Sequence, residues 1–352
     1  MRVGCMADLP ISVKVLLVST KHSIFEKPIL KAFQDLGHEV QIVDYWGNAV
    51  LMPNKFTHRT VSKLPSFVKN PIRNLARWQA DLKILTEARA YRPDLIFVLK
   101  AKDIHFSVLQ KLRRIGKLAN YYPETFDHWN RIKSIAPYYD YFFNYDSEIV
   151  RRLKETGYQN AYYLPFSAHL ETESPSEDMM PFSQRKYSIS FIGSFMPVRY
   201  AQRETILSRV KDLGLNIWGN KAWLETGLKD YYQGRPSDEE MFEIYRQSKI
   251  VINIDLMLGV EGTGVNLRPF EVTSCGALLF NHNDRKDIFN LFEDGREFVS
   301  FQGTEDIRGK VEYYLNHEQE IEAVARAGFE KTKNSHTYLK RIQEVLNIVN
   351  YS

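Results

Sequence analysis

Short apolar runs alternate with amphipathic stretches along most of this chain, and the alternation predicts two successive α/β series. Residues 13–19 (VKVLLVS) are a β-branched apolar run of the kind buried on both faces of a parallel sheet. Residues 28–36 then carry apolar positions at helical spacing and stop at Gly37, a natural helix C-cap, before a second strand at 39–43. Strand, helix and strand at this spacing make a βαβ unit. The pattern repeats with a long helix at 70–91, strands at 94–99, 117–121, 141–144 and 161–164, and helices at 104–114 and 147–156, the last closed by Gly157. Residues 1–168 therefore read as one doubly wound α/β domain.

The pattern breaks at 169–184 (HLETESPSEDMMPFSQ), which is acidic, contains Pro and Ser and has no period, and so reads as a linker or surface loop. A second series follows. Its strands are expected at 187–192, 215–218, 250–254, 277–280 and 297–300, with helices at 201–212, 238–248, 267–274 and 305–315 and a helical tail at 318–350. This gives a second α/β domain over 169–335, with 336–352 free to pack back onto the first. Two such domains leave a cleft where strand C-termini face each other, and ligands bind at such strand ends.

Composition narrows the class. The 352 residues suffice for two cores, and 44% apolar with 26% charged residues is ordinary for a soluble globular protein. Aromatics at 13% feed the cores or supply stacking surfaces. A formal net charge of +4 suits a diphosphate or an anionic acceptor and is too small to argue for nucleic acid by itself. Cys5 and Cys275 lie far apart, so neither a disulfide framework nor a metal-ligand spacing exists; no metal, no tightly bound cofactor and a reducing cytoplasm are expected. Cys275, before Gly276 in an apolar stretch, reads as a small core residue. Asp8 and Pro10 interrupt the opening MRVGCMADLP, which is not a signal peptide, and no run of about 18 apolar residues predicts a transmembrane segment. A peripheral membrane contact stays open.

Four stretches carry candidate chemistry. An apolar strand ends at Gly193-Ser194, followed by Arg199 and Arg203. Glycine there lets a phosphate approach the backbone, and two arginines four apart on a helix share a face and could clamp a diphosphate; the same pattern also fits a tight turn with two solvated arginines. The stretch GVEGTGVN (259–266) leads into LRPFE (267–271). Amides around Gly264, Val265 and Asn266 can hold phosphate oxygens, Arg268 adds a cation, and Pro269 suits a first helical turn. Glu271 could accept two hydrogen bonds from a ribose diol or merely complement the helix dipole. The loop YYPETFDHW (121–129) follows a first-domain strand and offers Glu124, Asp127 and His128 as general bases, or a polar loop with a capping Asp. Asp127, between Phe126 and His128-Trp129, would gain a raised pKa from partial burial. Finally, His22 and Glu26 follow the first strand, either facing an acceptor or in a solvated loop.

Taken together, FIGS at 191–194, Arg203, YRQSKIVINI at 245–254, GVNLRPFEVTSCGALLF at 264–280 and LFEDGREFVSF at 291–301 resemble the spore-maturation (CgeB-like) glycosyltransferases, over roughly 160–345. The first half is similar more loosely, through NYYPETFD and YLPFS. The resemblance implies the GT-B fold, two Rossmann-like domains facing a cleft, and a nucleotide-sugar donor, UDP-linked by family frequency. Glu271 then looks like the ribose-binding carboxylate, with Arg203 and Arg268 as diphosphate contacts. Retaining members often pair two glutamates with seven residues between them; Glu261 and Glu271 have nine between them, so Glu261 inherits no role and stereochemistry stays open. The string GSF, Arg199, Gln202-Arg203-Glu204, LGLNIWGN and LRPFE also resembles phage DNA β-glucosyltransferase. The acceptor is thus an unidentified glycan, protein, small molecule or modified DNA, and the oligomeric state is open. A protein that binds without transfer, or a two-domain epimerase, would share these features.

Overall fold

The computed structural model describes residues 12–20, 23–45, 60–100, 104–170, 179–255 and 261–351. His22, Cys5 and positions 259–260 of the glycine-rich stretch lie outside the described residues. Two all-parallel sheets organise the rest. The first contains β1 (Lys14–Ser19), β2 (Glu39–Asp44), β3 (Leu95–Leu99), β4 (Lys117–Tyr121), β5 (Tyr141–Asn144) and β6 (Ala161–Tyr163), in the order β2-β1-β3-β4-β5-β6. The second contains β7 (Tyr187–Ile192), β8 (Leu215–Trp218), β9 (Ser248–Asn253), β10 (Leu278–His282) and β11 (Val299–Phe301), in the order β8-β7-β9-β10-β11. Both sheets begin the same way: the second strand lies on one side of the first and the third on the other. Each therefore has one point where the strand order reverses, β1/β3 in the first sheet and β7/β9 in the second, and a crevice forms at such points.

The apolar runs explain the layering. Every residue of β3 and of β10 is buried, as parallel strands with helices on both faces require. Helix Glu26–Asp35 turns Pro28, Ile29, Ala32 and Phe33 onto the first sheet and ends at Gly37, whose φ of +83° is easy for glycine alone. Helix Ser147–Glu155 buries Ile149, Val150 and Leu153 and is capped by the Asp146 carboxylate.

The chain leaves the first sheet at Ala168 and returns to it after His336. The Ala168 amide donates to the His336 carbonyl at 2.8 Å. Buried Arg341 donates to the carbonyls of Pro165 (3.1 Å) and Phe166 (3.3 Å) and to His336 Nδ1 (2.8 Å). Helix Tyr338–Ile348 then lies against helix Glu26–Asp35, and the Tyr351 hydroxyl reaches the Asp94 carbonyl at 3.0 Å. One apolar cluster runs from Leu17 and Phe97 of the first sheet through Ile342 and Val345 to Val251 and Leu279 of the second.

The structure departs from the expected elements in four places. The helix expected over 201–212 ends at Leu207, and a 3-10 turn, Lys211–Leu213, follows. The long helix begins at Ser66, with Pro71 inside it. The expected loop after β4 contains a 3-10 turn, Phe126–His128, running into helix Trp129–Ile135. The helical tail breaks at His336-Thr337, where the Thr337 hydroxyl accepts the Lys340 amide at 3.3 Å and starts a new helix.

Candidate functional site

At the β7/β9 reversal the strand ends part around a cavity of about 340 Å³, lined by Gly193, Ser194, Arg203, Asn253, Asp255 and Arg268 among others. Arg203 comes from helix Ala201–Leu207 and is buried. Its Nε and Nη2 donate to the Ile254 carbonyl (3.1 and 2.8 Å) and its Nη1 to the Ser194 carbonyl (2.5 Å). The guanidinium also lies over the Tyr200 ring, 3.7 Å from its centroid. It thus ties the end of β7 to the end of β9, while burial lowers its pKa to about 10. Gly193 is required by packing: an added Cβ would stand 2.8 Å from Phe191 and 3.2 Å from Arg203 Nη1.

Arg268 opens helix Arg268–Ser274, with Pro269 in its first turn as the sequence predicts. Its Nη1 reaches Glu271 Oε2 at 3.1 Å. Glu271 is buried; burial raises its pKa and Arg268 opposes the rise. Asn266 fixes the approach to this helix: its amide pairs reciprocally with Asn253 (3.3 and 3.2 Å), and its Oδ1 accepts the Arg268 amide at 3.1 Å. Val265 and Gly264 are buried beside it. Two arginines and a loop pinned to a strand end therefore converge on one crevice, with the Glu271 carboxylate buried beside Arg268, an arrangement suited to an anionic ligand carrying a polyol.

Arg199 and Arg203 do not form the expected pair. The helix begins only at Ala201, so Arg199 sits in the preceding turn and reaches across the cleft, its Nη2 3.3 Å from Asp127 Oδ2. Asp127 itself is exposed, not partly buried as expected, because Phe126 turns towards Trp129 and under the Arg152 guanidinium (4.6 Å to the ring centroid). Glu124 is held by Lys100 (2.9 Å) and lies 3.6 Å from His128. Asn144 anchors this loop, its amide donating to the Tyr122 carbonyl at 2.6 Å and the Glu124 carbonyl at 3.3 Å. Glu26 lies in the first turn of its helix, and its Oε2 is buried without a hydrogen-bond partner.

Three carboxylates escaped the sequence reading. Asp255 follows β9 directly; burial pushes its pKa up to about 6, and Arg285 acts against that. Its position at the end of an apolar strand was a usable signal. Asp146 caps its helix and also accepts from the Thr263 amide (3.3 and 3.1 Å) and hydroxyl (3.1 Å), across the cleft. Gly262 and Gly264 are glycines for that reason: a Cβ would lie 2.2 Å from Asp146 Oδ2 at the first and 2.8 Å from the Asp146 Cβ at the second. Asp287 takes hydrogen bonds from the Ser147 amide (2.9 Å) and hydroxyl (2.5 Å), and burial raises its pKa. Nothing in the local sequence marks it. Glu261 is exposed and pairs with Arg152 at 2.7 Å. Among the described residues no group of three or more His, Cys, Asp or Glu is placed to hold a metal ion.

Residues 202–347, from the helix carrying Arg203 through the cavity to the tail, match a family model described as glycosyl transferase-like. Sucrose-phosphate synthase from Thermosynechococcus elongatus superposes with a TM-score of 0.68 at 10% identity, over 96% of this chain and 98% of that one. The fold is that of the GT-B glycosyltransferases, and the family match is confined to residues 202–347. Further likenesses are a glycosyltransferase from Rickettsia africae (TM-score 0.63, 12% identity, 97% and 100% coverage) and Anabaena HepE in complex with UDP and glucose (0.61, 9%, 97% and 100%). At these identities the likeness is one of fold. No curated protein sequence matches. Among the described residues of this GT-B chain, no helix is long and apolar enough to cross a membrane.

Proposed function

We propose that the chain transfers a sugar from a nucleotide-sugar, UDP-linked in the first instance, to an acceptor hydroxyl. The observation that carries this reading is the crevice at β7/β9, lined by Arg203 and Arg268, with buried Glu271 paired to Arg268 behind it. HepE, which has this fold, is solved with UDP and with UDP-glucose. In this reading residues 169–335 hold the donor, 1–168 face the acceptor, and 336–352 return to the first half. The ordered set FIGS, Arg203, LRPFE and LFEDGREF supports a place near the spore-maturation group, in the cytoplasm. The acceptor class stays as the sequence left it: glycan, protein, small molecule or modified DNA.

Chemically, the charges of Arg268 and Arg203, both lining the crevice, stabilise the leaving diphosphate as the glycosidic bond breaks. Glu271 accepts from the ribose hydroxyls. Asp127, across the cleft, takes the acceptor proton if the reaction inverts; Glu26, with its unpartnered oxygen, is the competing base. A thermal-shift panel of nucleotides and nucleotide-sugars tests the donor half of this reading, since a ligand binding the folded state raises apparent stability. UDP and a UDP-sugar are expected to shift the transition upward, and uridine much less. No shift with any nucleotide would overturn the assignment; a shift without donor turnover over a range of acceptors would make the chain a binding protein.

A further inference from the structure

We propose that the outer face of helix Ser66–Tyr91 docks on an anionic lipid surface. Phe67, Leu75, Trp78 and Leu82 are exposed at 79%, 47%, 59% and 47%. Steps of eight, three and four residues put them on one side of the helix, a ridge of large apolar groups in water. Across residues 60–85 stand Lys63, Lys69, Arg73, Arg77 and Lys83, against the single acid Asp81. Asp81 is largely buried, its carboxylate accepting from the His105 amide at 3.3–3.4 Å at the edge of the groove described below. The whole chain is nearly balanced, 47 basic to 43 acidic residues, so the bias is local.

Some surface cations are tied to carboxylates, as Arg113, Arg151, Arg308 and Arg326 are. Among the described residues Lys63, Lys69 and Arg73 form no ion pair. Beside the ridge, a groove of about 560 Å³ between this helix and helix Phe106–Leu112 is lined by Arg77, Trp78, Leu82, His105 and Lys111. Apolar floor and cationic rim match a lipid headgroup over its acyl chains.

An aromatic and leucine ridge flanked by cations belongs to a helix that lies in a membrane interface, not one that crosses it. Net positive charge selects anionic lipid over a second copy of the same basic face. The helix leads into the start of β3, so its Phe67 end lies at the cleft end of the first sheet. Docking there would hold the cleft mouth close to the surface.

The test is flotation of the full chain with vesicles of phosphatidylcholine, alone or mixed with phosphatidylglycerol. Binding is expected only to the mixed vesicles, and it should weaken with salt. Lys69→Gln and Arg73→Gln should each lower partitioning about fivefold. Trp78→Ser with Leu82→Ser should lower it with every charge intact. UDP binding, measured in parallel, should be unchanged in all variants and shows that they fold. Equal partitioning into both vesicles, no binding to the mixed ones, or binding unaffected by these substitutions would overturn the proposal. So would retention on heparin without vesicle binding, which would assign the face to a soluble polyanion.

Discussion

The two sheets share a strand order and each has a reversal point, and among the described residues their strand ends carry different chemistry. At β7/β9 the strand ends part around Arg203, Arg268, Asp255 and the nearby Glu271. The described strand ends of the first sheet carry rings instead. Phe25 stacks on Phe166 (5.6 Å between centroids), meets Tyr121 edge-on at 5.9 Å, and Tyr145 covers Phe166 at 4.5 Å. Lys100, at the end of β3, turns to Glu124. The same topology can thus carry different chemistry at its strand ends, charged in the second sheet and aromatic among the described residues of the first.

If the halves divide the work, chemistry should be lost from the first half and affinity from the second. The largest expected effect is on turnover: Asp127→Asn should reduce it about 10²–10⁴-fold, the usual worth of a general base, with UDP affinity nearly unchanged. Glu124→Gln and His128→Asn should cost far less, and the same assay with Glu26→Gln decides between the two candidate bases. If Asp127→Asn left turnover intact, Asp127 would be only the partner of Arg199. Next comes Glu271→Ala, which should weaken UDP binding by about 1.5–3 kcal/mol for each charged hydrogen bond lost to the ribose. Calorimetric titration would show it; equal affinity in variant and parent would remove Glu271 from the site.

Arg268→Ala should weaken UDP about tenfold or more while leaving uridine nearly alone. Arg203→Ala should do the same and also lower thermal stability, since it orphans the carbonyls of Ile254 and Ser194. Equal losses for uridine and UDP would mean a collapsed site. A smaller effect is pH dependence. Asp255, with its pKa near 6, loses its negative charge as pH falls through that value. A diphosphate beside it should then bind tighter, by roughly tenfold at most between about pH 7 and about pH 5. Asp255→Asn should flatten that difference, and an identical slope in the variant would discount Asp255. The smallest expected effect is Lys100→Ala, under about twofold on UDP affinity, a size within the range of ordinary surface substitutions; a large loss would move the donor to the first half.

Much of the fold was legible because parallel strands announce themselves as short apolar runs. The strands 117–121, 141–144, 187–192 and 215–218 stand at the bounds the sequence predicts. Pro269 and the glycines at 37 and 157 marked helix ends by backbone chemistry that is local. What failed was non-local. Arg199 and Arg203 looked like one clamp at helical spacing, but where a short helix begins depends on the turn before it. The stretch 259–266 reads as a phosphate loop, and the sequence did not show that Gly262 and Gly264 also give room to Asp146, a residue over a hundred positions away. Asp127 looked shielded by its aromatic neighbours, and those rings turn elsewhere.

The most direct test of the division is amide hydrogen exchange with and without saturating UDP. Added protection should concentrate in peptides spanning 189–203 and 262–275, at the β7/β9 crevice, with 14–20 and 95–100 at the β1/β3 reversal unchanged. Protection at β1/β3 without any at β7/β9 would contradict the assignment of the donor to the second half.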